Sequence, residues 1–106
     1  MRARSTTIAD VTLSDFKRSL DDRQPAAALT PPLRALWHDA KGDWDSAHKV
    51  AQDIDDETGA WIHAYLHRKE GDLANAGYWY RRARKPECRD SLEAEWQQIA
   101  TKIFAS

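Results

Sequence analysis

The sequence predicts an all-α protein that contains two antiparallel helical hairpins with a further helix at each end. Three observations support this prediction. Apolar residues recur at three- and four-residue spacings, glycine or proline separates these stretches, and no stretch alternates apolar and polar residues for long enough to form a strand. A ten-residue pattern also occurs twice at an offset of 29 residues, as ALWHDAKGDW (35–44) and AYLHRKEGDL (64–73).

The chain is expected to begin with a flexible segment and a short helix. Residues 1–11 are polar, so we predict a flexible N-terminal segment followed by a single domain over residues 12–106. The domain opens with an amphipathic helix that Thr12 or Ser14 can cap and that Pro25 prevents from continuing. The apolar face of this helix consists of Leu13, Phe16 and Leu20.

The first hairpin is predicted to start after Thr30. Pro31 suits the first turn of a helix, and Gly42 is placed to end that helix. Asp43 is the natural N-cap of the next helix, and so short a turn makes the two helices run antiparallel. The acidic stretch DDETG (55–59) that follows is predicted to be a loop.

The second hairpin repeats this pattern, and a last helix follows it. Its helices are predicted over residues 60–69 and 73–84, with the same Gly-Asp pair (71–72) between them. In the last helix, Asp90 and Glu93 have the spacing of a capping box. The predicted buried stripe of that helix is Leu92, Trp96, Ile99, Ala100 and Ile103.

The repeated hairpin resembles the tetratricopeptide repeat, a helical hairpin with a period of about 34 residues. In the stretch GDLANAGYWYRRARKP, the residues Ala76, Tyr80 and Ala83 follow Gly-Asp at the family's small, aromatic, small spacing. The chain departs from the family in its offset of 29 and in lacking a large aromatic residue at the start of each first helix. The resemblance covers roughly residues 30–86. It implies the fold and, by default, protein or peptide binding, but no reaction.

The whole chain is also similar to a group of small, mostly bacterial proteins that carry a comparable tryptophan- and histidine-rich string. That second resemblance implies no particular function.

Composition excludes several classes of protein. The net charge of −1 gives no overall attraction to nucleic acid or to an anionic membrane, so the sequence disfavours both as partners. No apolar run is long enough to span a bilayer. The single Cys88 cannot form an internal disulfide and the start of the chain lacks a signal-peptide core, so we expect a cytoplasmic protein. Self-association is left open.

The charges are unevenly distributed along the chain. Residues 39–57 contain seven acidic residues, and residues 68–89 contain seven basic ones. Because these segments belong to successive hairpins, we expect their charges to face different regions of the surface.

The stretch YWYRRARK is the strongest candidate for a binding surface. Its aromatic residue Tyr78 is followed at helical spacing by three basic residues, Arg81, Arg82 and Lys85, on the same side of a helix. Such a group can hold a carboxylate. Trp61 and Trp79 lie at the edges of apolar faces, where a partly exposed tryptophan can anchor a partner. The predicted binding residues are Trp61, Tyr65, Tyr78, Trp79, Arg81, Arg82 and Lys85. An acidic protein or peptide is the expected partner, although a run of charges can also simply solvate a helix.

A small metal-binding or enzymatic domain is the alternative hypothesis. His63, His67 and Glu70 lie at i, i+4 and i+7 on one helical stripe and could meet a zinc ion. We favour a packing role for His67, which aligns with His38 on a seam of small residues, and we expect neither a metal nor another cofactor. Cys88 has no histidine near it in sequence and no catalytic motif is present, so the sequence predicts a non-enzymatic protein.

Overall fold

The computed structural model describes residues 12–105, and the predicted flexible segment at residues 1–11 lies outside this range. The described residues form six α-helices and no strand, which confirms the all-α fold class. The helices are α1 (Leu13–Arg18), α2 (Pro31–Ala40), α3 (Trp44–Ala51), α4 (Glu57–Glu70), α5 (Leu73–Arg82) and α6 (Leu92–Ala105), and a 3₁₀ turn, Ser19–Asp21, follows α1. The assignment of residues 12–106 to a single domain stays a prediction.

The helices pack as two hairpins covered by the last helix. α2 packs against α3 and α4 packs against α5, as predicted, and α3 packs against α4 to join the hairpins. α6 packs against both α2 and α4, and α1 packs against α6. The first helix of each hairpin is therefore covered on one side by α6. The kinship of this arrangement with the tetratricopeptide repeat stays a prediction.

The core is formed mainly by α1, α2, α4 and α6. The largest fully buried apolar side chains are Phe16, Leu36, Ile62, Leu66 and Ile99. The second helix of each hairpin contributes mainly small buried residues, namely Ala47, Ala51 and Ala76, and α5 adds the buried Tyr80. Small residues on α3 and α5 allow these helices to approach their partners closely.

The repeated Gly-Asp pair forms the turn of each hairpin. Gly42 and Gly71 have φ angles of 85° and 91°, in the left-handed region that glycine adopts without a steric cost. Asp43 and Asp72 then cap the next helix, since each side chain accepts a hydrogen bond from the backbone N–H three residues later. The repeated sequence pattern therefore encodes a helix stop followed by a helix start.

The acidic stretch 55–59 is only partly a loop, contrary to the prediction. Asp56 caps α4 by accepting a hydrogen bond from the N–H of Gly59 at 2.8 Å, so the first turn of α4 begins at Glu57. Gly59 is buried, and a Cβ there would lie 2.3 Å from the carbonyl oxygen of Ile54. The glycine is needed because the preceding chain passes against the helix at this point.

The predicted cap of α6 is also wrong. Ser91, and not Asp90, caps this helix, since its Oγ accepts a hydrogen bond from the N–H of Ala94 at 3.0 Å. Asp90 instead accepts a hydrogen bond from the side chain of Gln98 at 2.9 Å. At α1 the predicted cap is confirmed, because Thr12 forms a capping box with Asp15.

At the end of α5, Arg84 adopts a backbone conformation that is usually found in glycine. Its φ angle is 60°, the left-handed conformation seen at Gly42 and Gly71, and the N–H of Lys85 closes the helix end on the carbonyl of Tyr80. The side chain of Arg84 forms an ion pair with Glu57 at 3.3 Å. Both partners are exposed, so this pair contributes little to stability.

We predict that Arg84→Gly stabilises the protein by up to about 1 kcal/mol, because a β-carbon disfavours the left-handed conformation. Gly71→Val should destabilise it by on the order of 1 kcal/mol or more for the same reason, since the space around Gly71 is open and backbone strain is the main cost. Urea denaturation measures both changes. Arg84→Ala is the control: it removes the ion pair but keeps the β-carbon, and a gain equal to that of Arg84→Gly would contradict the backbone explanation.

Candidate functional site

The predicted binding residues lie in two different environments. Tyr78, Arg81 and Arg82 are exposed on α5. Trp61 and Tyr65 are buried on α4, with exposures of 7% and 2%. A partner has direct access to the α5 residues, whereas Trp61 and Tyr65 are largely covered by neighbouring side chains.

The exposed side of α5 is ordered by contacts among its own side chains. Arg82 donates a hydrogen bond from Nη1 to the hydroxyl of Tyr78 at 2.9 Å. Its guanidinium carbon also lies 5.8 Å from the ring centre of Tyr78 and 5.5 Å from that of Trp79. Leu73, at the start of the helix, is 66% exposed. We call the exposed residues Tyr78, Arg81 and Arg82 the α5 face; Leu73 lies on the other side of the helix, in phase with the buried Ala76 and Tyr80.

Two predicted binding residues connect this surface to the interior. The ammonium of Lys85 lies 4.1 Å from the ring centre of Trp61, so Lys85 covers that tryptophan and is itself half-buried. The half-buried ring of Trp79 stacks on His63 with the ring centres 3.9 Å apart. Both side chains therefore contact buried residues of α4 as well as solvent.

The acidic and basic regions meet at one cleft, contrary to the expectation that they face apart. A cavity of about 380 Å³ between α3, α4 and α5 is lined by Asp55, Asp56 and Glu57 and by Arg82 and Arg84. These oppositely charged side chains face each other because the loop before α4 lies beside the end of α5.

One residue of the acidic segment 39–57, whose charges were expected at the surface, is buried. Asp39 is 3% exposed and accepts hydrogen bonds from the hydroxyl of Tyr65 at 2.7 Å and from Nζ of Lys69 at 2.9 Å. It lines a cavity of about 540 Å³ between α1, α2, α4 and α6. The sequence offered a weak signal for this burial, since Asp39 lies three residues after Leu36 on the apolar face of α2.

A second buried carboxylate was missed by the sequence analysis. Glu95 on α6 is 0% exposed. It accepts hydrogen bonds from Trp61 Nε1 at 3.0 Å and from the hydroxyl of Tyr80 at 2.7 Å. Arg68 forms an ion pair with it at 2.9 Å. Burial, followed by the hydrogen bond to Glu95, raises the pKa of Tyr80, and burial with the hydrogen bond to Asp39 does the same for Tyr65.

Three histidines converge where the two hairpins meet. His48 on α3 and His63 and His67 on α4 each place a ring nitrogen within 4.8 Å of the others, and we call them the histidine cluster. The Nε2 atoms of His48 and His63 are 2.9 Å apart. Of the predicted stripe on α4, only His63 and His67 belong to this cluster. Glu70 lies outside it and contacts His67 at 2.8 Å, and the third histidine is His48. The sequence held no local signal for His48, which reaches the cluster through the packing of α3 on α4.

Two of the three histidines in the cluster, His48 and His63, are uncharged near neutral pH. Burial, together with the smaller effects of the neighbouring His48 and His67, lowers the pKa of His63 to about 4. Burial also lowers the pKa of His48. Both rings therefore present an unprotonated nitrogen at pH 7.

Comparisons of this chain with protein-family models, with curated proteins and with solved structures give no match. None of the helices between residues 12 and 105 combines the length and the apolar character that crossing a bilayer requires. Functional proposals therefore rest on the α5 face and the histidine cluster.

We predict that the buried tyrosines make the protein sensitive to alkali. In the unfolded chain a tyrosine loses its proton near pH 10, whereas the raised pKa values keep Tyr65 and Tyr80 protonated in the folded protein. Their contribution to stability is fully present below about pH 10 and is lost as the pH rises above it, because only the unfolded state then releases protons. Urea midpoints measured from about pH 8 to about pH 11.5 should fall less steeply in Tyr65→Phe and Tyr80→Phe than in the parent.

Tyr78→Phe is the matched control, because Tyr78 is exposed. It should leave the alkaline slope close to that of the parent. Equal flattening in all three variants would contradict the role of burial.

Proposed function

We propose that the protein is a non-enzymatic interaction module of tetratricopeptide-like type that binds a protein or peptide segment through the α5 face. The observation that carries this proposal is the exposure of an aromatic side chain beside two arginines. Tyr78 is 43% exposed, and among the described residues the other exposed large hydrophobic side chain is Leu73, at the start of the same helix. Aromatic and arginine side chains together are typical of the residues that dominate protein interfaces.

The packing of α5 leaves this surface open. α5 packs mainly against α4, so its opposite side faces solvent. Tyr78 is already held in place by its hydrogen bond from Arg82. An anchor that is ordered before binding loses less conformational entropy when a partner arrives.

The charge of the α5 face favours an acidic partner. Neither Arg81 nor Arg82 forms an ion pair with another described residue, so both can meet a carboxylate of a partner. Nucleic acid is a less suitable partner because it normally requires a broader basic surface, and here three acidic residues line the adjoining cavity. We include a cytoplasmic location in the proposal, supported by the one cysteine, Cys88, which is a free thiol.

We predict that the purified protein selects acidic peptides containing an apolar residue from a random peptide library. Fluorescence anisotropy then measures the affinity of a selected peptide. Arg81→Glu/Arg82→Glu should weaken binding at least about tenfold, which is about 1.4 kcal/mol, and added salt should weaken binding of the parent by screening exposed charges. The thermal midpoint should change little because both arginines are exposed.

Arg23→Glu/Lys49→Glu is the matched control, since it makes the same change of charge at exposed residues outside α5. This control should keep the affinity of the parent apart from a small general charge effect. Equal affinity of the α5 variant and the parent would exclude the α5 face as the site, and selection of basic peptides would contradict the proposed partner class.

A further inference from the structure

The histidine cluster offers three nitrogen ligands around one point in the interface between the hairpins. His63 and His67 lie one turn apart on α4, and His48 comes from α3, so that the ligand atoms lie within 4.8 Å of one another. Neutral imidazole is a common ligand of divalent transition metals, and three histidines are the protein ligands of one class of zinc site.

Glu70 determines which nitrogen of His67 is available. Its Oε2 atom lies 2.8 Å from Nδ1 of His67, so Nδ1 donates a hydrogen bond to the carboxylate and the lone pair remains on Nε2. A carboxylate on the outer nitrogen is the usual partner of a metal-binding histidine, because it orients the ring and makes it more basic.

The contact between His48 and His63 is compatible with a shared metal ion. Their Nε2 atoms share one hydrogen bond at 2.9 Å, with one ring donating and the other accepting. Ligand atoms of a tetrahedral zinc ion lie about 3.3 Å apart, as follows from Zn–N distances of about 2.0 to 2.1 Å. The two nitrogens need to separate by only about 0.4 Å for both to coordinate.

Two tryptophans hold the rings in position. Trp44 stacks on His48 with the ring centres 4.9 Å apart, and its Nε1 donates a hydrogen bond to the carbonyl of Leu66 at 2.7 Å. Trp79 stacks on His63 at 3.9 Å. A site whose ligands are ordered in advance binds more tightly, because less side-chain entropy is lost on binding.

We propose that His48, His63 and His67 bind one zinc ion. This site goes beyond the peptide-binding function proposed above, and the inference does not rest on that function. The group of described residues supplies three ligands, which leaves the fourth position of a tetrahedral ion to water or to an added ligand. His63 lines the cavity of about 380 Å³ between the hairpins, and this cavity provides a route to the site.

Isothermal titration calorimetry of the chelator-treated full chain with Zn²⁺ tests the proposal. We expect about one ion per chain, and we expect His48→Gln and His63→Gln each to lower the affinity at least about tenfold. Glu70→Gln should lower it by about 10- to 100-fold through the loss of the partner of His67. His38→Gln is the matched control, because His38 packs edge-on against Trp37 and is not part of the cluster. Cobalt in place of zinc should give the intense visible absorption of a tetrahedral site.

Two results would overturn the proposal. The first is the absence of stoichiometric zinc binding by the parent, and the second is undiminished zinc affinity in both histidine variants. Far-UV circular dichroism checks that the variants fold, which is expected of His48→Gln because His48 is only half-buried. Glu70→Gln, at an exposed position, keeps the test decisive if a histidine variant unfolds.

Discussion

One buried carboxylate connects the last helix to the second hairpin, and the position of α6 depends on it. Glu95 is fully buried, and its oxygens accept hydrogen bonds from Trp61 and Arg68 on α4 and from Tyr80 on α5. Burying a carboxylate is costly unless its oxygens find partners. Only a position of α6 that brings Glu95 against all three donors avoids that cost, so this residue fixes the register of the helix. Apolar packing alone would fix that register less strictly, because one apolar contact can replace another.

The helix ends that could be predicted from the sequence are those determined by residues close to one another along the chain. Gly42 and Gly71 end helices because they adopt positive φ angles, and the aspartate after each starts the next helix by binding N–H groups three residues away. Each of these interactions joins residues that are close in sequence. The prediction failed where a local cap was overlooked: Gly59 was assigned to a loop, although Asp56 caps α4 by accepting a hydrogen bond from its N–H, as Asp43 and Asp72 do in their helices.

The candidate sites were less predictable, since they depend on packing between helices. His63 and His67 could be paired from their four-residue spacing, but His48 joins them only because α3 packs on α4. Trp61 was expected at the edge of an apolar face, and it is buried because α6 covers α4. The sequence held one overlooked sign of that burial. Glu95 lies in phase with Leu92 and Ile99 on the apolar stripe of the last helix, where an unpartnered acid would be unfavourable.

The two candidate sites share one side chain. Trp79 stacks on His63 on its inner side, while the guanidinium of Arg82 and the edge of Tyr78 lie against it from the α5 face. A change at Trp79 would therefore disturb both the histidine cluster and the peptide-binding surface, and its effect could not be assigned to either. His48 and Arg81 lack this ambiguity, because neither contacts Trp79 directly through a ring or a hydrogen bond. The shared tryptophan also gives the two sites a physical connection: a partner that reorients Tyr78 or Arg82 acts on the ring that supports His63.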